Sequence, residues 1–279
     1  MRPERKSKMV FADLSLARRL EASEARGMAG YPSIQARLDS SSAGAVEKFG
    51  NGYAIFTGPD SPLSRAVGIG LDKPVEASEL ERVENFFKGR GARVLIDVCP
   101  LADSSFIALL RERGYRVAEF HHIWYRALDK DERFAYQTSG LEVLEVGPTE
   151  AELWIRTVTR GFMDRDDVTD VEMAIATMSF MKSDTRCFLA RLEGRPAGGG
   201  VLAINDGLAA MFSGSTVKDF RRRGVQSALL RARMEAAVMA SCDMAVIKTS
   251  PGTASQRNVE RAGFRLAYTR AAMTLESDA

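Results

Sequence analysis

The sequence predicts a mixed α+β protein made of two tandem domains, 1–135 and 141–279, and three observations carry that expectation. Strand-like and helix-like runs alternate along the chain, with hairpin turn chemistry between several of the strands. The segment VLIDVCPLADSSFIALLRERGYRVAEF at 94–120 parallels AVIKTSPGTASQRNVERAGFRLAY at 245–268 across two single-residue gaps; each reads strand, Pro-containing loop, helix, Gly, aromatic, strand. A length of 279 residues also fits two domains of roughly 150 residues each.

Leu16, Leu20 and Ala25 stand near helical spacing before Gly27 and Gly30, so residues 13 to 27 predict an amphipathic helix. DSSSAGA at 39–45 reads as a loop. GYAIFTG and SRAVGIGL read as strands separated by Gly-Pro-Asp, and ASELERVENFFKGRG as a helix. RVLIDV is then a strand, SSFIALLRERG a helix and YRVAEFHHIWYRAL a long strand. DKDERFAYQTSG at 129–140 is poor in aliphatics and marks the expected linker. Beyond it come strand LEVLEV, a helix around Glu150 to Arg160, the acidic loop DRDD, and a helix opened by Thr169 and Glu172 at capping-box spacing. CFLARL and AGGGVLA flank the turn EGRP, and Asn-Asp-Gly leads into LAAMFSGSTV. In KDFRRRGVQSALLRARMEAAVMA, Val225, Leu229, Ala232, Ala236 and Met239 form a helical stripe. Strand MAVIKT, loop SPGTAS, helix QRNVERA and strand FRLAYTRAAMTL close the chain.

Composition narrows the function. Hydrophobic residues at 45% and charged residues at 27% are globular values. Lys+Arg 39 less Asp+Glu 37 gives +2, so no global field favours nucleic acid or an anionic membrane, and any anion site must be local. The N-terminal leader starts with positive charge, but Asp13 interrupts the apolar stretch a signal peptide requires. No run reaches the ~18 apolar residues of a membrane span. Cys99, Cys187 and Cys242 lie far apart without metal-ligand or disulfide spacing, which points to a reducing cytoplasm and no metal.

The segment that carries chemistry is RRRGVQSALL at 221–230, between a strand ending at Val217 and a long helix. A strand, a basic Gly-containing turn and a helix start make an anion site: unpaired backbone N–H groups point outward, the helix dipole favours negative charge, and Gly224 permits close approach. Positive side chains at a helix N-terminus oppose the dipole and call for a compensating anion; a solvated basic first turn is the plainer alternative. Neither a Walker loop nor a dinucleotide fingerprint is present.

With its [Q/R]-x-x-G-x-[G/A] pattern, this segment resembles the GNAT superfamily of N-acetyltransferases: Arg221 and Gly224 match, and Gln226 replaces the final small residue. The element order from about 141 to 275 and the Arg-Ala-Gly-Phe at 261–264 are also similar to the family's. The resemblance implies two tandem GNAT-like domains, each a mixed, mostly antiparallel sheet flanked by helices. It implies acetyl-CoA as cosubstrate, with Arg222, Arg223, Gly224, Val225, Gln226 and Ser227 at the pyrophosphate, and Val217 and Thr216 along the pantetheine. Asn258 is a further cofactor contact. DKPVEAS occupies the corresponding place in the N-terminal half and lacks the basic turn, so that half reads as a degenerate copy.

The expected activity is N-acetylation of a small-molecule or peptide amine, with a non-catalytic acyl-CoA sensor as the alternative; a nucleic-acid module is disfavoured by the charge balance. Val259 stands where many members carry a tyrosine acid, which leaves Tyr268, on the face of Phe264, as the candidate acid. Asp164, Asp166, Asp167 and Glu172 are the candidate bases, each more simply read as surface or capping residues. Met173, Met178 and Met181 read first as a core stripe and His121 and His122 as structural.

Overall fold

The computed structural model describes residues 10–134 and 139–275. The start of the leader, 1–9, and residues 135–138 of the expected linker lie outside the described residues. Two compact units emerge. Among the described residues, an N-terminal unit gathers 11–123, 249–251 and 266–275; a C-terminal unit gathers 10, 124–134, 139–248 and 252–265.

In the N-terminal unit, α1 (Leu14–Ala29) starts where Asp13 accepts a hydrogen bond from the Leu16 N–H at 2.9 Å. The aspartate that interrupts the leader is therefore a helix cap. α2 (Tyr31–Leu38), with Pro32 in its first turn, and β1 (Ala45–Phe49) are elements the sequence reading did not assign. β2 (Gly52–Phe56), β3 (Arg65–Val67), α3 (Ala77–Lys88), β4 (Leu95–Val98), α4 (Ser104–Glu112) and β5 (Arg116–Ala127) follow the expected order. β1, β2 and β3 pair antiparallel, and β3 meets β4 in parallel at Ala66 and Ile96. Phe56, Leu80, Phe87, Ile96 and Phe106 form the core beneath α3 and α4, while Ala25 and Met28 of α1 cover Ile55 and Val67.

The C-terminal unit contains β6 (Leu141–Glu145), α5 (Ala151–Met163), α6 (Asp170–Met181), β7 (Thr185–Leu192), β8 (Arg195–Asn205), β9 (Leu208–Thr216), α7 (Val225–Met239), β10 (Met244–Thr249) and α8 (Ala254–Arg261). β6 to β9 pair antiparallel in sequence order and β10 pairs parallel with β9, which makes the mixed, mostly antiparallel sheet. Glu193-Gly194 and Asp206-Gly207 take the paired positive φ values of type I′ hairpin turns. Alternation along the strands sends Phe188, Ala190 and Leu202 towards α7, and Leu189 and Val201 towards Trp154 and Val158 of α5.

The last strand, β11 (Arg265–Thr274), pairs antiparallel with β4, Ala271 opposite Val98 and Thr274 opposite Leu95. Compactness therefore does not follow the halves 1–135 and 141–279: β5 divides between units at Ile123/Trp124, and β11 at Arg265/Leu266. The repeat is visible in the caps. Gly114 after α4 and Gly263 after α8 both have φ 79, and the next N–H reaches back to Leu110 and Val259 respectively at 3.0 and 3.2 Å.

Candidate acyl-CoA site

β9 has two different edges. Its pairing with β10 runs from Leu208–Met244 to Met211–Ile247 and stops, although both strands continue; on its other side it stays paired with β8 as far as Thr216. Residues 212–216 thus keep one edge open on the β10 side, where an extended ligand arm can add as a strand. Within this stretch the register passes from Gly199–Ser215 to Val201–Phe212, so Gly200 faces both Ser213 and Gly214. That is a β-bulge, with Ser213 at φ 49.

From the end of β9 the chain makes a single 3-10 turn, Lys218–Phe220, anchored by the buried Phe220. Arg222 at φ 62 and Gly224 at φ 82 then curl the backbone before α7 starts at Val225. The helix therefore begins after the basic Gly-containing turn, at Val225. Its first backbone bond is donated by the Ala228 N–H to the Gly224 carbonyl at 3.0 Å. The N–H groups of residues 222–227 have no acceptor among the described residues. Val225 is buried and anchors the turn, while Arg222, Arg223, Gly224 and Ser227 are exposed and Gln226 half-buried.

Charge around the turn is unevenly committed. Arg221 donates to Asp164, to the Gly161 carbonyl at 3.1 Å and to the Thr216 carbonyl at 3.3 Å, tying the end of α5 to the end of β9. Arg223 pairs with Glu193 at 3.1 Å. Arg222 makes no ion pair among the described residues. One of the three cations, with the free amides, is therefore available to an anion.

The other expected cofactor residues fare differently. Thr216 is buried, and its Oγ1 has no partner among the described residues. The Val217 N–H already donates to the Ala197 carbonyl at 3.0 Å, and its carbonyl accepts from Phe220 at 2.9 Å. Val217 thus has no free N–H for a ligand arm, which corrects the backbone pairing expected of it. The side chain of Asn258, on α8, is half-buried and makes no hydrogen bond among the described residues, whereas Val259 is packed in the core.

Tyr268 belongs to the N-terminal unit, and its hydroxyl donates to Glu21 at 2.8 Å in a buried setting. Burial, reinforced by the Glu21 charge, raises the phenol well above its ordinary range. A proton held this way is poorly suited to protonating a thiolate, so the acid role expected for Tyr268 gives way to a structural one. Three of the four candidate bases are also committed, while Asp167 is exposed and makes no ion pair among the described residues. Asp164 pairs with Arg221 and Asp166 with Arg160. Glu172 completes the Thr169 capping box and pairs with Arg165; the Thr169 backbone hydrogen bond leads in holding its carboxyl below the usual range. Met173 and Met178 are buried, Met181 is exposed, and His121 and His122 lie in the N-terminal unit beside Glu119 and Thr269. No cluster of metal-ligating side chains occurs among the described residues.

Two features were missed from sequence: the bulge and Arg233, a fully buried arginine of α7. A signal for the latter existed, because Arg233 falls four residues after Leu229 on the apolar stripe, and Gly200 leaves room across from it.

The half-paired β9, the bulge, the curled basic turn and the helix start all lie within residues 152–264, the stretch that matches the model of the acetyltransferase (GNAT) family. Those residues are a GNAT domain. Solved structures agree on the fold. A GCN5-related N-acetyltransferase from Kribbella flavida is 16% identical with a TM-score of 0.64, covering 91% of this chain and 95% of its own. A tandem GNAT protein from the clavulanic acid biosynthesis pathway is 14% identical with a TM-score of 0.57, covering 96% and 98%. A putative GNAT acetyltransferase from Novosphingobium aromaticivorans is 17% identical with a TM-score of 0.51, covering 90% and 97%. No curated protein matches the chain. The tandem neighbour supports two GNAT-like parts, and the described residues include no helix long and apolar enough to cross a membrane.

Proposed function

We propose that the GNAT domain is an acetyl-CoA-dependent N-acetyltransferase acting on a primary amine of a small molecule or peptide, and that the N-terminal half is a degenerate copy without a cofactor. The observation that carries this reading is the run of unpaired N–H groups at 222–227, next to the uncommitted Arg222 and the open edge of β9. Helix-start amides and a cation suit a pyrophosphate; an open strand edge suits the amide-bearing pantetheine arm. Asn258 offers an amide for the same ligand.

The reaction makes modest demands on side chains. The amine nitrogen attacks the thioester carbon, the carbonyl electron pair moves to oxygen, and collapse breaks the C–S bond. The proton lost by the amine and the one gained by the thiolate can pass through water. The protein then contributes orientation and backbone donors for the oxyanion; in this reading the bulged stretch at Ser213 and Gly214 supplies them.

A second reading, an acyl-CoA sensor without turnover, is favoured by one observation: Tyr268 and three of the four candidate bases, Glu172, Asp164 and Asp166, have their polar atoms committed elsewhere, which leaves only the exposed Asp167. Thiol release from acetyl-CoA in the presence of a panel of polyamines, aminoglycosides, amino acids and peptides separates the two. Release that depends on an amine establishes the enzyme; CoA binding by calorimetry without release across the panel establishes the sensor.

A further inference from the structure

Arg233 lies on α7, one turn beyond Leu229, at a position its helix stripe gives to apolar residues. It is 1% exposed and has no carboxylate partner among the described residues. All of its bonds go to backbone carbonyls: Nε to Leu229 at 3.0 Å, and Nη1 to both Val201 at 3.1 Å and Phe212 at 3.3 Å. Val201 and Phe212 are the matched pair at which the β8–β9 register resumes after the bulge. The other side of the bulge is shaped to the same guanidinium. A Cβ on Gly200 would stand 2.8 Å from Cζ, and one on Gly214 would stand 3.4 Å from Nη2.

A buried cation without an anion is costly, and burial lowers the guanidinium pKa only to about 10, so it remains charged at neutral pH. Stability alone gives no reason to place it there, because an apolar side chain of similar volume would fill the stripe without the desolvation cost. Its position next to the bulge does give one. A cation bonded to the Phe212 carbonyl draws electron density through the Phe212–Ser213 peptide and strengthens its N–H as a donor. That peptide opens the distorted stretch, immediately after Met211, the last residue of β9 paired with β10.

We propose that Arg233 is a positioning residue for acyl transfer: it braces the β9 bulge through Val201 and Phe212 and polarises the bulge peptide that serves as donor to the thioester oxygen. This rests on the acetyl-CoA reading of the GNAT domain. Arg233 acts through the backbone and touches neither substrate.

The test uses the full chain with acetyl-CoA labelled with carbon-13 at the carbonyl, whose stretching frequency falls when strong donors polarise it. Arg233→Met keeps the length and apolar stem and removes the charge. The expected result is a carbonyl frequency returned towards its value in water and a loss of about tenfold or more in kcat with any amine that supports turnover, while KM for acetyl-CoA and the melting shift given by CoA are retained. Gly200→Ala displaces the guanidinium from the opposite side and should reproduce the frequency change. Arg233→Lys, which restores a charge, should recover part of it and serves as the comparison if the Met variant does not fold. A bound carbonyl with wild-type frequency in a folded, CoA-binding Arg233→Met or Gly200→Ala variant overturns the proposal. Wild-type protein that binds no acetyl-CoA overturns the prior reading of the GNAT domain instead, and is recognised before any variant is made.

Discussion

Gly224 and Gly114 form a matched pair for testing the pyrophosphate assignment. Both sit at a helix end in the left-handed region, at φ 82 and φ 79, and a Cβ on Gly114 meets nothing within 4 Å. Placing alanine at either position costs about 1–2 kcal/mol of backbone strain, and at about 2–4 °C per kcal/mol each variant should lose about 2–8 °C in Tm. They differ in what that strain does next. At Gly224 the backbone can relax only by uncurling the turn that aims the N–H groups of residues 222–227, the groups without acceptors.

Losing one bond to a charged phosphate oxygen from that set costs about 1.5–3 kcal/mol, or roughly ten- to a hundredfold in affinity. CoA at one hundred times Kd stabilises the wild type by about 2.7 kcal/mol, seen as roughly 5–10 °C. At the same CoA concentration Gly224→Ala should show about half that shift or less, and Gly114→Ala all of it. Differential scanning fluorimetry with and without CoA reads both numbers. A full CoA shift in a destabilised Gly224→Ala would refute the assignment, because it would show that the turn's conformation is irrelevant to binding.

Calorimetric titration of CoA should give one site per chain, because α3 opens at Glu76 with Glu79 in its first turn and no basic turn precedes it; two equivalent sites would contradict the degenerate-copy argument. Tyr268→Phe should leave turnover unchanged while lowering stability by about 1–3 kcal/mol at pH 7, and a large loss of kcat with normal melting would restore the acid role. Its pH dependence follows from Glu21, whose carboxyl burial raises and the Tyr268 hydrogen bond lowers. A raised carboxyl contributes stability that is complete below its unfolded pKa and is lost as pH rises through the folded value. Removing the hydroxyl moves that loss to higher pH, which urea melts between pH 4 and 8 would detect. Cys99 and Cys187, buried with thiols pushed up to about 12, should react with a thiol reagent only on unfolding, and rapid labelling of either in native protein would argue against the packing described.

Local chemistry made most of the elements legible. The Glu193-Gly194 and Asp206-Gly207 turns fix β7, β8 and β9 in register, and Thr169 with Glu172 fixes the start of α6. The basic Gly-containing turn ahead of α7 was legible from Gly224, whereas the positive φ at Arg222 that completes it leaves no mark in composition. The basic turn was readable because it needs only neighbours in sequence. The bulge was not: it consists in Gly200 facing Ser213 and Gly214, a pairing between strands. Arg233 was passed over for the same reason, since its partners at Val201 and Phe212 are 32 and 21 residues away. Tyr268 was assigned by period-two alternation along its strand, which locates a face but not the unit that face belongs to.

The placement of β11 in the N-terminal unit has a physical basis in charges equally invisible to the sequence. Arg270 is fully buried and meets Glu21 at 2.9 Å and Glu24 at 2.7 Å on α1, and Asp97 at 3.0 Å on β4. Asp97 also receives Arg65 of β3 at 3.1 Å. With Glu119 at 3.7 Å from Arg65, two arginines face four carboxylates, and burial raises Glu21, the carboxyl that also accepts from Tyr268. A network of this kind adds little net stability, because desolvation offsets most of its Coulomb gain. Its effect is on choice of register. Sliding β11 by one residue along β4 would turn Arg270 to the opposite face and leave Glu21, Glu24 and Asp97 without it, a penalty no apolar pairing would impose. The second half's last strand is therefore held in the first half's unit by specificity rather than by added affinity.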